Sequence, residues 1–240
     1  MKKFAAIALL AVLAVAGQVA LTAIRPVKSP AVEEGAFAAL GGLRSIVAEV
    51  VWFRADRLQE EGRYVELAQL AHALALAEPH TPEIWSYAAW NLAYNVSVMM
   101  STDEDRWRWV QSALTLLRDD GIRLNPTSAE LHRELAWMFE LKIGANLDSA
   151  APLYRAKWRE TVADVESRGA WEELGMDPMT MNEVESVFGV TDRGHAQYSA
   201  IYWAYRGLKT AKGPDARMLS EIIRQARTIY AREMEGTGNG

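Results

Sequence analysis

Residues 61–85 read EGRYVELAQLAHALALAEPHTPEIW. Gly62 is placed to end a preceding helix in a left-handed conformation, where glycine carries no Cβ penalty. Tyr64, Leu67, Leu70, Ala71 and Leu74 then recur at helical spacing as one apolar stripe. Pro79 and Pro82 close the run, since proline is excluded from helix interiors but tolerated at a helix start. A second helix begins at Pro82 and carries Trp85, Ala88, Ala89 and Leu92 toward Ser97. The stretch therefore encodes a helix, a sharp turn and another helix. Whether this unit stands alone or recurs decides the fold.

Similar signals follow downstream. Ser101-Thr102-Asp103 offers an N-cap to the helix DEDRWRWVQSALTLLRDDGIRL, whose first turn is acidic, as the helix dipole favours. Asn125-Pro126 ends that helix. Thr127 or Ser128 caps the next, which runs through Leu135, Ala136 and Phe139 and stops at Gly144. Asp148 or Ser149 caps a further helix from Ala150 to Val165, with Pro152 in its first turn. No segment sustains a period-two alternation, so the chain is predicted all-α. From Arg168 to His195 the pattern loosens around Gly169, Gly175, Asp177-Pro178, Gly189 and Gly194, with one short helix over Thr180 to Phe188. Two helices follow. One is AQYSAIYWAYRGLKTA, and the other starts near Pro214 with Leu219, Ile222, Ile223, Ala226 and Ile229 on one face.

The N-terminus has two Lys before an uncharged stretch, Phe4 to Ile24, of 21 residues. About 20 apolar residues span a bilayer core as a helix. An uncleaved anchor and a cleaved signal peptide both fit, the second through Ala14-Val15-Ala16. Lys2 and Lys3 favour a cytoplasmic N-terminus and an extracytoplasmic body. With no Cys, lipoprotein acylation, disulfides and thiolate metal sites are excluded. Setting aside Lys2, Lys3 and Arg25 leaves 23 of the 26 basic residues against 31 acidic ones. Such a body argues against non-specific nucleic-acid binding. The expected organisation is an anchor or signal segment at 1–25, a linker at 26–43, helical repeats at 44–166 and an irregular connector at 167–195. A C-terminal helical hairpin at 196–235 and a disordered tail at 236–240 complete it.

The spacing resembles the tetratricopeptide repeat, a helix–turn–helix unit with the pattern W-x2-L-G-x2-Y, A-x3-F and P over about 34 residues. In a first unit Val51, Ala55 and Leu58 take the early positions, Gly62-Arg63-Tyr64 the turn, Leu67 and Ala71 the A-x3-F pair, and Pro79 the close. Trp85, Ala88, Ala89 and Leu92 begin a second. His132, Leu135, Ala136 and Phe139 begin a third, which Ala150 and Tyr154 complete. Pro79 and Pro126 are 47 residues apart, so the second unit carries an insertion near Met99 to Asp105 and in the helix after it. The chain is also similar to a group of bacterial membrane-anchored TPR-like proteins in RLQEEGRYVELAQLA, WNLAYNVSV, DRWRWV and RELAWMFELKIG.

This resemblance implies a TPR-like helix-hairpin solenoid behind an N-terminal transmembrane or signal helix, with a C-terminal helical pair and no reaction to carry over. One hairpin cannot cover its own apolar face, so neighbours stack and leave a concave surface lined by the first helix of each pair. Groove positions implied by the family are Phe53, Arg57 and Glu61, then Ser86, Trp90 and Tyr94, then Arg133, Trp137 and Leu141. Aromatics and Arg are enriched at binding hot spots. The competing reading packs Trp90 and Trp137 into the core. The Lys/Asn set that clamps a C-terminal carboxylate in some family members is not evident.

Other chemistry is sparse. Asn91 and Asn95 share a helix face, either to grip a peptide backbone or to be satisfied within a packing interface. His72, His80, His132 and His195 stand at no metal-binding spacing, and no phosphate loop, dinucleotide fingerprint or nucleophile elbow is present. In DRWRWV, either the aromatics rest at a membrane surface or one Trp packs while Arg106 and Arg108 stay solvated. The expectation is a non-enzymatic scaffold without catalytic residues, metal or cofactor. It would be anchored to the inner membrane or secreted after cleavage, and would bind a protein or peptide partner in an envelope assembly. The alternatives are an envelope glycan- or peptide-processing enzyme with a cleft between the repeats and the C-terminal helices, and a purely structural subunit.

Overall fold

The computed structural model describes residues 53–55, 57, 58 and 60–237, and the described residues are helical with no strand. The proposed anchor at 1–25, the linker at 26–43 and the start of the first repeat helix lie outside them. Among the described residues no helix is long and apolar enough to cross a membrane. The chain divides into two compact units, Met1–Arg63 and Tyr64–Gly240.

In the first unit, the described part of 53–60 is helical and ends at Gly62, whose φ is 68°. Arg63 N–H reaches back to the carbonyl of Leu58 at 2.8 Å, the bond such a left-handed glycine allows. Glu61 accepts from Arg57 and Arg63, both at 2.9 Å.

The second unit begins with α1 (Tyr64–Ala77) and α2 (Pro82–Trp90). The connection is fixed by one carbonyl. Pro79 O accepts from Trp85 Nε1 at 3.0 Å and from Asn125 Nδ2 at 2.8 Å, which joins the turn to the end of a later helix. Helix α3 (Asp103–Thr115) is capped by Thr102, whose hydroxyl accepts from Asp105 N–H, and α4 (Ala129–Trp137) by Ser128, whose hydroxyl accepts from Leu131 N–H. Helices α2, α3 and α4 each continue as a π-helical turn, at Asn91–Val96, Leu116–Ile122 and Met138–Ile143. A π turn holds an extra residue, so it rotates everything after it relative to an α-helix.

Helix α5 (Ala151–Arg168) leads into the connector, which contains a 3-10 turn at Trp171–Leu174 and α6 (Pro178–Phe188). Its backbone is pinned by tyrosine hydroxyls. Tyr202 Oη accepts from Asp177 N–H at 2.8 Å, and Tyr230 Oη accepts from Thr191 and Asp192 N–H at 3.1 and 2.9 Å. Helices α7 (Ala196–Leu208) and α8 (Gly213–Thr237) complete the unit.

Helix α2 packs on α1, α3 and α4, while α4 packs on α2, α7 and α8. Helix α7 is enclosed by α4, α5, α6 and α8 and is buried from Ala196 through Ala204. Residues at the repeat-like spacings form core: Leu67, Ala71, Trp85, Ala88, Ala89, His132, Leu135, Ala136, Phe139, Ala150 and Tyr154 are all buried.

Gly207 sets how closely α7 approaches its neighbours. A Cβ there would lie 2.8 Å from His132 Cβ and 3.0 Å from Leu219 Cδ1. Gly207→Ala is expected to destabilise. Overpacking costs about 1–3 kcal/mol, which outweighs the roughly 1 kcal/mol that Ala gains in a helix. Thermal unfolding should show a melting temperature lower by a few degrees, at about 2–4 °C per kcal/mol. Gly236→Ala, where a Cβ meets nothing within 4 Å, should cause no such loss.

Candidate functional site

The groove positions separate by unit. Phe53 is 77 % exposed, and Arg57 and Glu61 bind one another on the first unit. In the second unit Trp90, Tyr94, Trp137 and Leu141 line one cleft of about 260 Å³, together with Glu134 and Met138. The competing reading, in which Trp90 and Trp137 pack into the core, does not describe Trp90, which is 44 % exposed. Trp137 is half-buried and packs against the core edge.

The residues reach this cleft from two helices that pack together. Trp90 and Tyr94 are four apart across the junction of α2 with its π turn, and their rings stack at 5.7 Å with an interplanar angle of 28°. Glu134, Trp137, Met138 and Leu141 follow one another at i, i+3, i+4 and i+7 along α4 and its π turn. That stripe is the signal by which Glu134 and Met138 could have been found. Trp137 also borders a second cleft, of about 480 Å³, lined by Arg217, Met218, Glu221, Ile222 and Gln225 of α8.

Charged groups around the first cleft are held in place. Arg133 donates to Glu134 Oε1 at 3.1 Å and to Asp215, and its guanidinium lies 5.8 Å from the Trp137 ring centroid. Lys142 Nζ lies 5.3 Å from the Tyr94 ring centroid. Burial pushes Glu134 above the usual carboxylate range, against the pull of Arg133. Tyr94 is pushed up by burial first and then by the Glu134 and Glu140 carboxylates. The Ser86 hydroxyl is buried with no hydrogen-bond partner among the described residues.

Two other sequence features resolve into structure. Asn95 Nδ2 donates to Asn91 Oδ1 at 2.7 Å, and Asn91 Nδ2 to the Tyr87 carbonyl at 3.1 Å, so this pair is satisfied within its own helix. In DRWRWV, Trp107 is buried 5.9 Å from Tyr154, and Arg108 pairs with Asp105. Arg106 is not solvated as expected. It reaches into the chain to Met100 O, Asp148 and Ser149. Asp148 also takes Lys142 Nζ at 2.6 Å and Tyr154 Oη at 3.1 Å, and caps Ala150 N–H. Burial alone would raise Asp148, but these bonds outweigh it and hold it at about 2.

Glu140 was not anticipated. It is 1 % exposed, and neither carboxylate oxygen has a hydrogen-bond partner among the described residues. Beside it Gln197, fully buried, donates its amide to the Glu140 carbonyl at 3.3 Å while its own Oε1 goes unpartnered. Burial and, secondly, the Glu221 carboxylate push Glu140 up to about 7. Among the described residues no three His, Cys, Asp or Glu side chains gather as a metal site.

No family model, curated protein or solved structure matches the chain. The geometry alone therefore carries the functional argument.

The raised Glu140 pKa fixes a pH dependence. The folded state holds this proton more tightly than the unfolded state, so the stability it contributes is full below 4.5 and is lost as pH rises through about 7. His132 acts oppositely. Burial lowers it to about 4, so its contribution is full above 6.5 and is lost as pH falls through about 4. The difference between Glu140→Gln and the parent isolates the first effect. It should grow from near zero at about pH 5 to several degrees in melting temperature at about pH 8, on the order of 2–3 kcal/mol. A difference that stays flat across that range would exclude a buried neutral acid.

Proposed function

We propose that the protein is a membrane-tethered scaffold of TPR-like helical hairpins that receives a protein or peptide partner in the cleft between α2 and α4. The observation that carries this reading is the cleft itself. Two Trp and one Tyr from two packed helices, α2 and α4, converge on it, and among the described residues Trp90, 44 % exposed, is the one Trp that is neither buried nor half-buried. Exposed aromatics at the mouth of an apolar cleft are what partner-binding hot spots are made of. The succession of α2, α4 and α7, each packed on the next, supports the stacked-hairpin architecture. The uncharged stretch from Phe4 to Ile24 supports the tether, with the body outside the cytoplasm as part of an envelope assembly.

The enzyme alternative requires an acid and a base that reach one substrate. Glu140 and Glu221 have pKa values driven apart, to about 7 and about 2, but Glu221 lines the α4–α8 cleft while Glu140 is buried and is not part of that lining. This arrangement favours the scaffold.

A photocrosslinking residue at position 141 of the full-length chain, in its native membrane, should yield one discrete protein adduct. The same residue at 172 on the connector should not. Trp90→Ala should remove the adduct while leaving the melting temperature within a few degrees, because Trp90 is largely outside the core. An adduct undiminished by that substitution would refute the cleft as the docking site.

A further inference from the structure

We infer that the cleft formed by Trp90, Tyr94, Trp137 and Glu134 takes a cationic side chain, lysine or arginine, from the partner peptide. This rests on the partner-binding reading above and names the chemistry by which the partner is recognised.

Three observations converge. The first is the pattern of cations on rings. Tyr94 already holds Lys142 at 5.3 Å and Trp137 holds Arg133 at 5.8 Å, within the range of cation–π attraction. Among the described residues no cation lies over Trp90, the most exposed of the three rings. The second is charge. One guanidinium, Arg133, serves two carboxylates, Glu134 and Asp215, which leaves that trio with a net negative charge beside the cleft. Glu134 lines the cleft with a side chain only 16 % exposed, so its carboxylate is poorly solvated and gains from an incoming cation. Tyr94 is pushed up first by burial, and the Glu134 and Glu140 carboxylates act on it in the same direction, a field that disfavours an anion there. The third is size. About 260 Å³ is below the roughly 300–1,000 Å³ of sites that enclose a whole small-molecule ligand, and suits one side chain. Met138 and Leu141 complete the walls and match the methylene stem of such a side chain, whose charged end meets the rings and the carboxylate.

The test uses the full-length chain and fluorescein-labelled hexapeptides of alternating Gly with Arg or with Glu, read by anisotropy. The Arg peptide should bind and the Glu peptide should not. Trp90→Ala and Glu134→Gln should each weaken binding by about fivefold or more, and Trp90→Phe by less than Trp90→Ala, following the order of ring strength. Glu172→Gln, an exposed charge removed elsewhere, should leave binding unchanged. Because the body is acidic, diffuse attraction of the Arg peptide would survive Trp90→Ala, and that result would overturn the inference. Binding that persists in Glu134→Gln, or equal binding of the Glu peptide, would overturn it too. The crosslinking experiment separates the two levels. An adduct lost in Trp90→Ala but retained in Glu134→Gln leaves the docking cleft standing and removes only its preference for a cation.

Discussion

The second unit depends on the enclosure of one helix. Helix α7 is buried nearly throughout, with Tyr198, Ala200, Ile201, Tyr202, Trp203 and Ala204 at 1 % exposure or less. A helix apolar on every side has no stable place at a surface and must be surrounded. Helices α4, α5, α6 and α8 surround it, and α4 meets it at Gly207, where a missing side chain lets His132 sit against the backbone. That contact orients α4. One side of α4 is committed to α7, and the stripe from Glu134 to Leu141 is left to meet α2 and form the cleft wall.

Polar groups inside this packing divide into two kinds. Asp148 is saturated: an ammonium, a guanidinium, a phenol and a backbone N–H all reach it, and it stays charged. It therefore ties α3, the end of α4 and the start of α5 together at one point. Glu140 lies two residues before Lys142 on the same π turn and has nothing comparable. A buried carboxyl without partners is most stable as a neutral acid. The same turn of helix thus carries a fixed ion pair on one side and a titratable group on the other.

How much of this was legible depended on how local the signal was. The helical class and the caps at Thr102 and Ser128 rest on chemistry within three or four residues, and they follow from the sequence alone. Asp177 was marked only as an interruption, although it caps α6 by accepting from Thr180 N–H and its hydroxyl. The connector drew attention for its glycines, while what secures it, the hydroxyls of Tyr202 and Tyr230, comes from distant helices with no local trace. Trp90, Tyr94, Trp137 and Leu141 were named from repeat spacing and share a cleft; Phe53 and Arg57 belong to the other unit. Arg106 was misjudged and Glu140 passed over for one reason. A charged residue is ordinarily a surface residue, and only the packed structure shows which ones are taken inside.

The π turns left the least mark on the sequence, since the residues in them have ordinary helical preferences. They interrupt α2, α3 and α4 at the same relative place, near the end of each helix. Each stores one surplus residue in a helix that would close with one fewer. A chain so built has slack at three joints: a single-residue deletion there would tighten the turn to an ordinary α turn and reset the phase of the segment beyond. The cleft, whose walls straddle two of these joints, is thereby the part of the molecule whose shape is most readily retuned by length changes rather than by exchange of side chains.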